Sequence, residues 1–211
     1  VNRQNEYYAS ATLGWSPVEA FRIALAEDAF YNDLRNNINI GSNPDYPFPK
    51  RITSLTALSA QWQWERLHVE GNVVGTYAHE TVENGENPAD KHRLSPCVSV
   101  TYRLLPNESL HLRAMWKNTF RMPSFNDLYY LRIGNSGLRP EKATEYNLGL
   151  TWSGRPFQAV KYVSATVDAY YNDVTDKIVA FPSTYVWKMA NFGKVKIKGI
   201  DVTLATEVPI Y

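Results

Sequence analysis

Most of the 211 residues fall into segments in which apolar and polar side chains alternate one for one. That period sends successive side chains to opposite faces of an extended strand, and a helix cannot satisfy it. The clearest segment runs from Arg93 to Arg103. Leu94, Pro96, Val98, Val100 and Tyr102 share one face; Ser95, Cys97, Ser99 and Thr101 share the other. Others set Tyr7, Ala9, Ala11, Leu13 and Trp15 against Tyr8, Ser10 and Thr12, and Leu110, Leu112, Ala114 and Trp116 against His111, Arg113 and Lys117. About nine such strands follow one another. Each runs about 10–14 residues, against about 5–6 in a typical soluble sheet. A tilted strand needs about 9–11 residues to cross hydrocarbon.

The connections alternate as strictly as the side chains. Short turns at Ser16–Glu19, Glu65-Arg66, Pro106–Glu108 and Gly154–Pro156 take turns with long polar connections at Asn32 to Lys50, Glu80 to His92, Arg121 to Lys142 and Asp176 to Ala190. In an up-and-down meander this gathers every long connection at one end. Trp15, Phe21, Trp62, Trp64, Tyr102 and Trp152 fall on the apolar rows beside the short turns, as a membrane-interface girdle would. Glu70, Arg113 and Asp168 fall mid-strand on the polar rows, which suits a wet lumen. The rows implied are those of an all-β antiparallel meander, part of a transmembrane β-barrel. The last strand, about Lys194 to Thr206, changes apolar phase at Gly199, so either a bulge lies there or its end rises out of the apolar belt.

Composition limits the function. Twenty-two basic and 21 acidic residues give a net charge of +1, which argues against a nucleic-acid partner. A single cysteine, Cys97, excludes an internal disulfide framework and reads as a small polar-row residue. A mean hydropathy of −0.38 fits a barrel wall, where only one face of each strand is apolar. It equally fits a soluble β-sandwich or a lipocalin-like binding module with an aromatic platform. The direction of the apolar rows separates the two: outward and bare in a membrane barrel, buried against each other in a sandwich. Catalysis is not expected. His68, His79, His92 and His111 are available, but no GxSxG or HExxH motif accompanies them.

The segment from Phe120 to Leu150 carries a family likeness. Phe120-Arg121-Met122-Pro123-Ser124-Phe125-Asn126-Asp127-Leu128-Tyr129, Gly134-Asn135, Leu138-Arg139-Pro140-Glu141 and Glu145-Tyr146-Asn147-Leu148-Gly149-Leu150 occur in that order. Tyr170–Ile178, Asn191-Phe192-Gly193 and Lys198-Gly199-Ile200-Asp201 follow. Together they resemble the barrel signature of TonB-dependent outer-membrane receptors, nearest the vitamin B12 and siderophore branch. The resemblance implies a 22-stranded, plugged barrel in the outer membrane of a Gram-negative bacterium. Its partners would be outer-membrane lipid, an extracellular nutrient and, through other parts of the full-length chain, the TonB complex. Residues 1–211 are then expected to be a piece of the wall, without plug, signal peptide or remaining strands. Val1 would lie on the extracellular side. Tyr211, following Val208-Pro209, would be a truncation point.

The long connections would face the ligand. Phe125, Tyr129, Tyr130 and Arg132 are the candidate ligand-binding residues, able to stack on or pair with an apolar or anionic ligand. The same motif has an architectural reading, which is preferred for Pro123, Asn126, Pro140 and Glu141; Glu141 would accept hydrogen bonds from loop backbone. His79, Glu80, Glu83, Glu86, Asp90 and His92 offer oxygen ligands to calcium, but lack the DxDxDG spacing and read as a solvated loop. No catalytic, cofactor or metal site is expected.

Overall fold

The computed structural model describes residues 2–36, 46–107, 109–155, 157, 160–182 and 185–208. They form one antiparallel sheet of nine strands in simple sequence order. The strands are β1 (Asn2–Val18), β2 (Phe21–Asn36), β3 (Lys50–Trp64), β4 (Leu67–Thr81), β5 (Lys91–Arg103), β6 (Leu110–Arg121), β7 (Glu141–Gly154), β8 (Tyr162–Pro182) and β9 (Trp187–Glu207). One short helix, α1 (Phe125–Tyr129), lies between β6 and β7. Among the described residues no helix is long and apolar enough to cross a membrane.

The apolar rows face outward and are bare. Leu13, Ile200, Val202 and Leu204 are each at least 70% exposed. A soluble sandwich would cover such rows with a second sheet, and among the described residues there is none. The buried side chains gather instead at the long-connection end, around Leu34, Tyr46, Phe125, Leu128, Leu138 and Ile178. The expected girdle at the short turns is present, with the Trp62 and Trp64 rings stacked at 5.8 Å. A second aromatic row lies nearer the other end, where Tyr7 meets Tyr31 at 6.0 Å and Tyr146 meets Tyr171 at 6.2 Å. Eight residues separate Tyr7 from Trp15 and ten separate Phe21 from Tyr31. At about 3.3 Å per residue and a tilt of 35–45° this spans roughly 20–25 Å, the height of an apolar band.

Inside the curve the rows are polar. Arg113, Gly149 and Asp168 stand side by side on β6, β7 and β8. Arg113 reaches over the glycine to Asp168 at 3.0 Å, through space that a Cβ on Gly149 would occupy. The outward rows are not free of carboxylates: Glu27 is on one of them, and the hydroxyls of Ser54 and Thr56 both donate to it.

The side-chain phase makes an outward cation expensive and an inward one cheap. Leu25, paired with Leu13 and Leu58, lies in the middle of the apolar band. Leu25→Arg is expected to cost about 2–4 kcal/mol in a lipid-vesicle unfolding titration, and its inward neighbour Ala26→Arg less than about 1 kcal/mol. Equal costs would contradict the assigned faces.

Two expectations, on the long connections, need correction, and at Gly199 the second of the two alternatives holds. The long connection placed at Asp176–Ala190 is strand for most of its length: β8 and β9 continue as a tall hairpin in unbroken register up to Pro182 and Trp187. Asp176, with φ +55°, interrupts the local pattern without shifting that register. Gly199 carries no bulge; it pairs with Tyr170, whose ring covers it, and the phase change marks the strand leaving the apolar belt. The Asn32–Lys50 connection is shorter than expected because β2 runs to Asn36; its middle, including Pro44, lies outside the described residues. Pro209 and Tyr211 lie outside them too.

The β5–β6 ladder is short. It pairs Cys97–Arg103 with Lys117–His111 and stops beside Pro96, whose nitrogen has no hydrogen to donate. Above it β5 pairs only with β4, and β6 only with β7.

Candidate functional site

The site is built where connection 122–140 folds back across the inner face of the sheet. Ser124 starts α1 as an N-cap: its hydroxyl accepts from the Asp127 amide at 3.2 Å, and Asp127 Oδ2 accepts from the Ser124 amide at 2.9 Å. That capping box directs Phe125 and Leu128, three apart on one helical face, into the protein. The turn after α1 closes on Gly134, whose amide donates to the Tyr130 carbonyl at 2.7 Å.

One end of this loop rests on a buried charge pair. Arg51 on β3 and Glu80 on β4 are neighbours in register, 8% and 6% exposed. Arg51 Nε donates to Glu80 Oε2 at 2.7 Å, and its Nη1 donates to the Pro123 carbonyl at 2.8 Å. The guanidinium lies 4.8 Å from the centre of the Phe125 ring. Tyr129 donates its phenol proton to the other oxygen of Glu80. Burial, then that hydrogen bond and the negative charge of Glu80, push the Tyr129 phenol far above its ordinary pKa, so it stays protonated as a donor.

The other end is tied to the β8–β9 hairpin. Met189 donates its amide to the Ile133 carbonyl at 2.9 Å, and Asn135 Nδ2 donates to the Met189 carbonyl at 3.1 Å. Asn191 accepts from the Arg139 amide and donates to the carbonyls of Arg139 and Asp176. Arg139 pairs with Asp176 at 2.6 Å, and its hydrogen bond and charge hold that carboxyl below the usual range. Glu141 Oε2 accepts a backbone hydrogen bond, from the Ile178 amide at 3.1 Å, but Ile178 belongs to strand β8 and not to a loop as expected.

Between this loop and connection 82–90 lies a cleft of about 610 Å³. Tyr46, Pro47, Asn84, Gly85 and Pro88 line one side; Tyr129, Tyr130, Arg132 and Ser136 line the other. Tyr130 is 49% exposed, and Arg132, in the left-handed region at φ +69°, is exposed beside it. Of the four candidate residues, Tyr129, Tyr130 and Arg132 meet in this cleft. Phe125 does not: it is buried beneath Arg51 with Leu34 and Tyr46. Arg51, Tyr46 and Asn84 were not singled out by the sequence. Asn84 Nδ2 donates to the Tyr46 carbonyl at 2.7 Å, a pairing across two loops that no local motif announces.

The acidic connection is not uniformly solvated. His79 and Glu80 belong to β4 and His92 to β5. Glu80 is buried against Arg51, Glu83 pairs with Arg35 and Lys50, and Asp90 accepts from Tyr77 and faces His79. Among the described residues no three His, Cys, Asp or Glu side chains converge on a metal position. Cys97 is a free, half-buried thiol.

A single sheet with bare apolar rows between two aromatic rows, and long connections folded over one end, is a segment of transmembrane β-barrel wall. The chain belongs to the TonB-dependent receptor family: residues 1–208 match its "TonB dependent receptor-like, beta-barrel" model. Two curated relatives are vitamin B12 transporters BtuB of Vibrio vulnificus. One, from strain CMCP6, is 26% identical over 202 residues, covering 86% of this chain; the other, from strain YJ016, is 29% identical over 109 residues, covering 51%. The chain spans only 30% and 17% of their respective lengths. Among solved structures, the hemophore receptor HasR of Serratia marcescens, a double mutant in complex with its hemophore HasA and heme, superposes with a TM-score of 0.76 at 16% identity, over 98% of this chain and 40% of that one. The copper transporter OprC gives 0.75 at 16% identity, over 99% and 35%. These last two likenesses establish the shared fold.

Proposed function

We propose that residues 1–211 form part of the wall and outward loops of an outer-membrane receptor that imports a scarce nutrient in a Gram-negative bacterium. The nutrient is a corrinoid, a ferric siderophore or a compound of similar bulk. Energy would come from the inner-membrane TonB complex through parts of the protein outside this stretch, and no chemistry is performed on the cargo. The observation that carries this reading is the cleft at the long-connection end. Its volume lies within the roughly 300–1,000 Å³ of small-molecule sites. Its lining mixes aromatic faces with amide and hydroxyl groups, and its floor is fixed by the Arg51–Glu80–Tyr129 cluster.

In this reading Tyr130 and Arg132 touch the ligand. Phe125 and Tyr129 act one layer below, holding the loop that presents them. A corrinoid is the first ligand to test, because two relatives matched in sequence are B12 transporters. The test uses the full-length receptor that carries this sequence, with cyanocobalamin, a ferric siderophore and haem as probes and growth of a deletion strain as the second readout. Tyr130→Ala and Arg132→Ala are each expected to weaken binding of the cargo roughly tenfold, the size of an interface anchor, while the folded barrel is retained. Unchanged affinity in both variants would move the ligand elsewhere on the receptor.

A further inference from the structure

A small pocket of about 60 Å³ lies beside the nutrient cleft. Pro88, Leu128, Tyr129 and Ser136 border both spaces. Its polar lining comes from three strands and one loop: Arg51 on β3, Glu80 on β4, Lys91 on β5, and Tyr129 and Ser136 on connection 122–140. The rest of the lining is apolar, with Met122 and Leu138 from the loop and Ala78 from the sheet. A single water needs about 10–15 Å³, so the pocket admits a group of a few heavy atoms and no cargo of corrinoid bulk.

The carboxylate oxygens in this pocket are taken, and its donors are not. Glu80 Oε2 accepts from Arg51 Nε at 2.7 Å, and Glu80 Oε1 accepts from the Tyr129 phenol. Arg51 Nη1 donates to the Pro123 carbonyl at 2.8 Å. Arg51 Nη2 is different. It lies 2.5 Å from Glu80 Oε2 yet makes no hydrogen bond, and it is buried in a residue only 8% exposed. Lys91 is half-buried and forms no ion pair among the described residues. Two cations therefore face one carboxylate inside a mostly apolar wall. An unmatched charge in such surroundings is costly. A monovalent anion cancels it, and a neutral water does not.

We infer that this pocket binds a small monovalent anion, of halide or formate size. Arg51 Nη2 and the Lys91 ammonium would hold it, with the Ser136 hydroxyl as a third donor. Charge-assisted bonds of this kind are the strong ones. Glu80 sets the valence: one carboxylate against two cations leaves a single positive charge, and a dianion would overshoot it. The bound anion would tie β5 to β3 and to connection 122–140, which already bonds to Arg51 and Glu80. The inference does not depend on what the receptor imports.

The experiment uses the full-length receptor in detergent, without nutrient, and bromide as the probe. Crystals soaked in sodium bromide should show an anomalous peak between Lys91 and Arg51. In solution, amide exchange of residues 124–135 should slow as bromide rises, about tenfold at ten times its Kd, because opening the loop releases the anion. Sodium gluconate at equal concentration, whose anion is too bulky to enter, should give no slowing. Lys91→Gln should abolish the bromide effect; Lys161→Gln, exposed beside a short turn, should keep it. No difference between bromide and gluconate in the unmutated receptor would overturn the inference, whether or not Lys91→Gln folds. An undiminished effect in a folded Lys91→Gln receptor would overturn it as well. A peak in the crystal with no effect in solution would mean binding at crystal concentration only, and would also sink it. So would displacement of bromide by cyanocobalamin or a ferric siderophore, which would assign the pocket to the cargo. Failure of both nutrients to bind would count against the proposed import function and leave the bromide result standing.

Discussion

Replacing Arg51 with methionine will cost about 3–5 kcal/mol, because it leaves Glu80 as a buried carboxylate without its counter-charge. The pair is almost fully enclosed, so water cannot take the place of the guanidinium. The same change removes the hydrogen bond to the Pro123 carbonyl and the cation over the Phe125 ring. The loss should therefore show first in connection 122–140 rather than in the strands. Amide hydrogen exchange of residues 124–135 is the direct measurement, and faster exchange there with an intact barrel is the expected pattern. The double variant Arg51→Met/Glu80→Leu should recover much of the loss, since an apolar pair of similar volume often matches a buried ion pair. A double variant no better than the single would mean that the bond to Pro123, not the pairing with Glu80, is the dominant interaction.

Gly134→Ala should undo the same loop from its other side. A Cβ on Gly134 would lie 2.6 Å from the Tyr130 nitrogen and 2.8 Å from the carbonyl carbon and oxygen of Leu128. All three are backbone atoms, so no rotamer change relieves the clash. The turn must open, and opening it breaks the Gly134 to Tyr130 bond and strains the Asn135 to Asp127 bond. Overpacking of this kind typically costs about 1–3 kcal/mol, concentrated in the loop that carries Tyr130 and Arg132. Limited proteolysis should cut the variant within 122–140 while the strands resist. Gly71→Ala, with no atom within 4 Å of the added carbon, is the matched control and should behave as wild type.

The wall was legible in the sequence because its determinants are local. Alternation assigns each side chain to a face, and a strand that crosses the bilayer must keep alternating, so Leu94 to Tyr102 announces its own orientation. The loop interior was not legible in that way. Arg51 and Glu80 read as two charged residues at strand ends; only the register of β3 with β4 makes them partners, and only the loop from beyond β6 buries them. Phe125 and Tyr130 are both loop aromatics, and the sequence could not rank them. The short helix does: its capping box turns Phe125 inward and leaves Tyr130 at the C-terminal end, in the open. The tall hairpin is not legible in the sequence because Asp176 disrupts the pattern. Its upper half is held by Ile178 and Met189 packing on the loop rather than by lipid.

The early end of the β5–β6 ladder gives the wall an uneven stiffness. Above Pro96 it consists of two panels, β1–β5 and β6–β9, joined by no backbone hydrogen bonds of their own. Connection 122–140 leaves from one panel, grips Arg51 and Glu80 on the other, and returns to fasten on Met189 and Asp176. It works as a tie rod across an arch. The span of the mouth is set by the length of that rod, so a force that releases Pro123 from Arg51 would let the panels spread about a hinge at Pro96 while the lower half of the wall stays sealed.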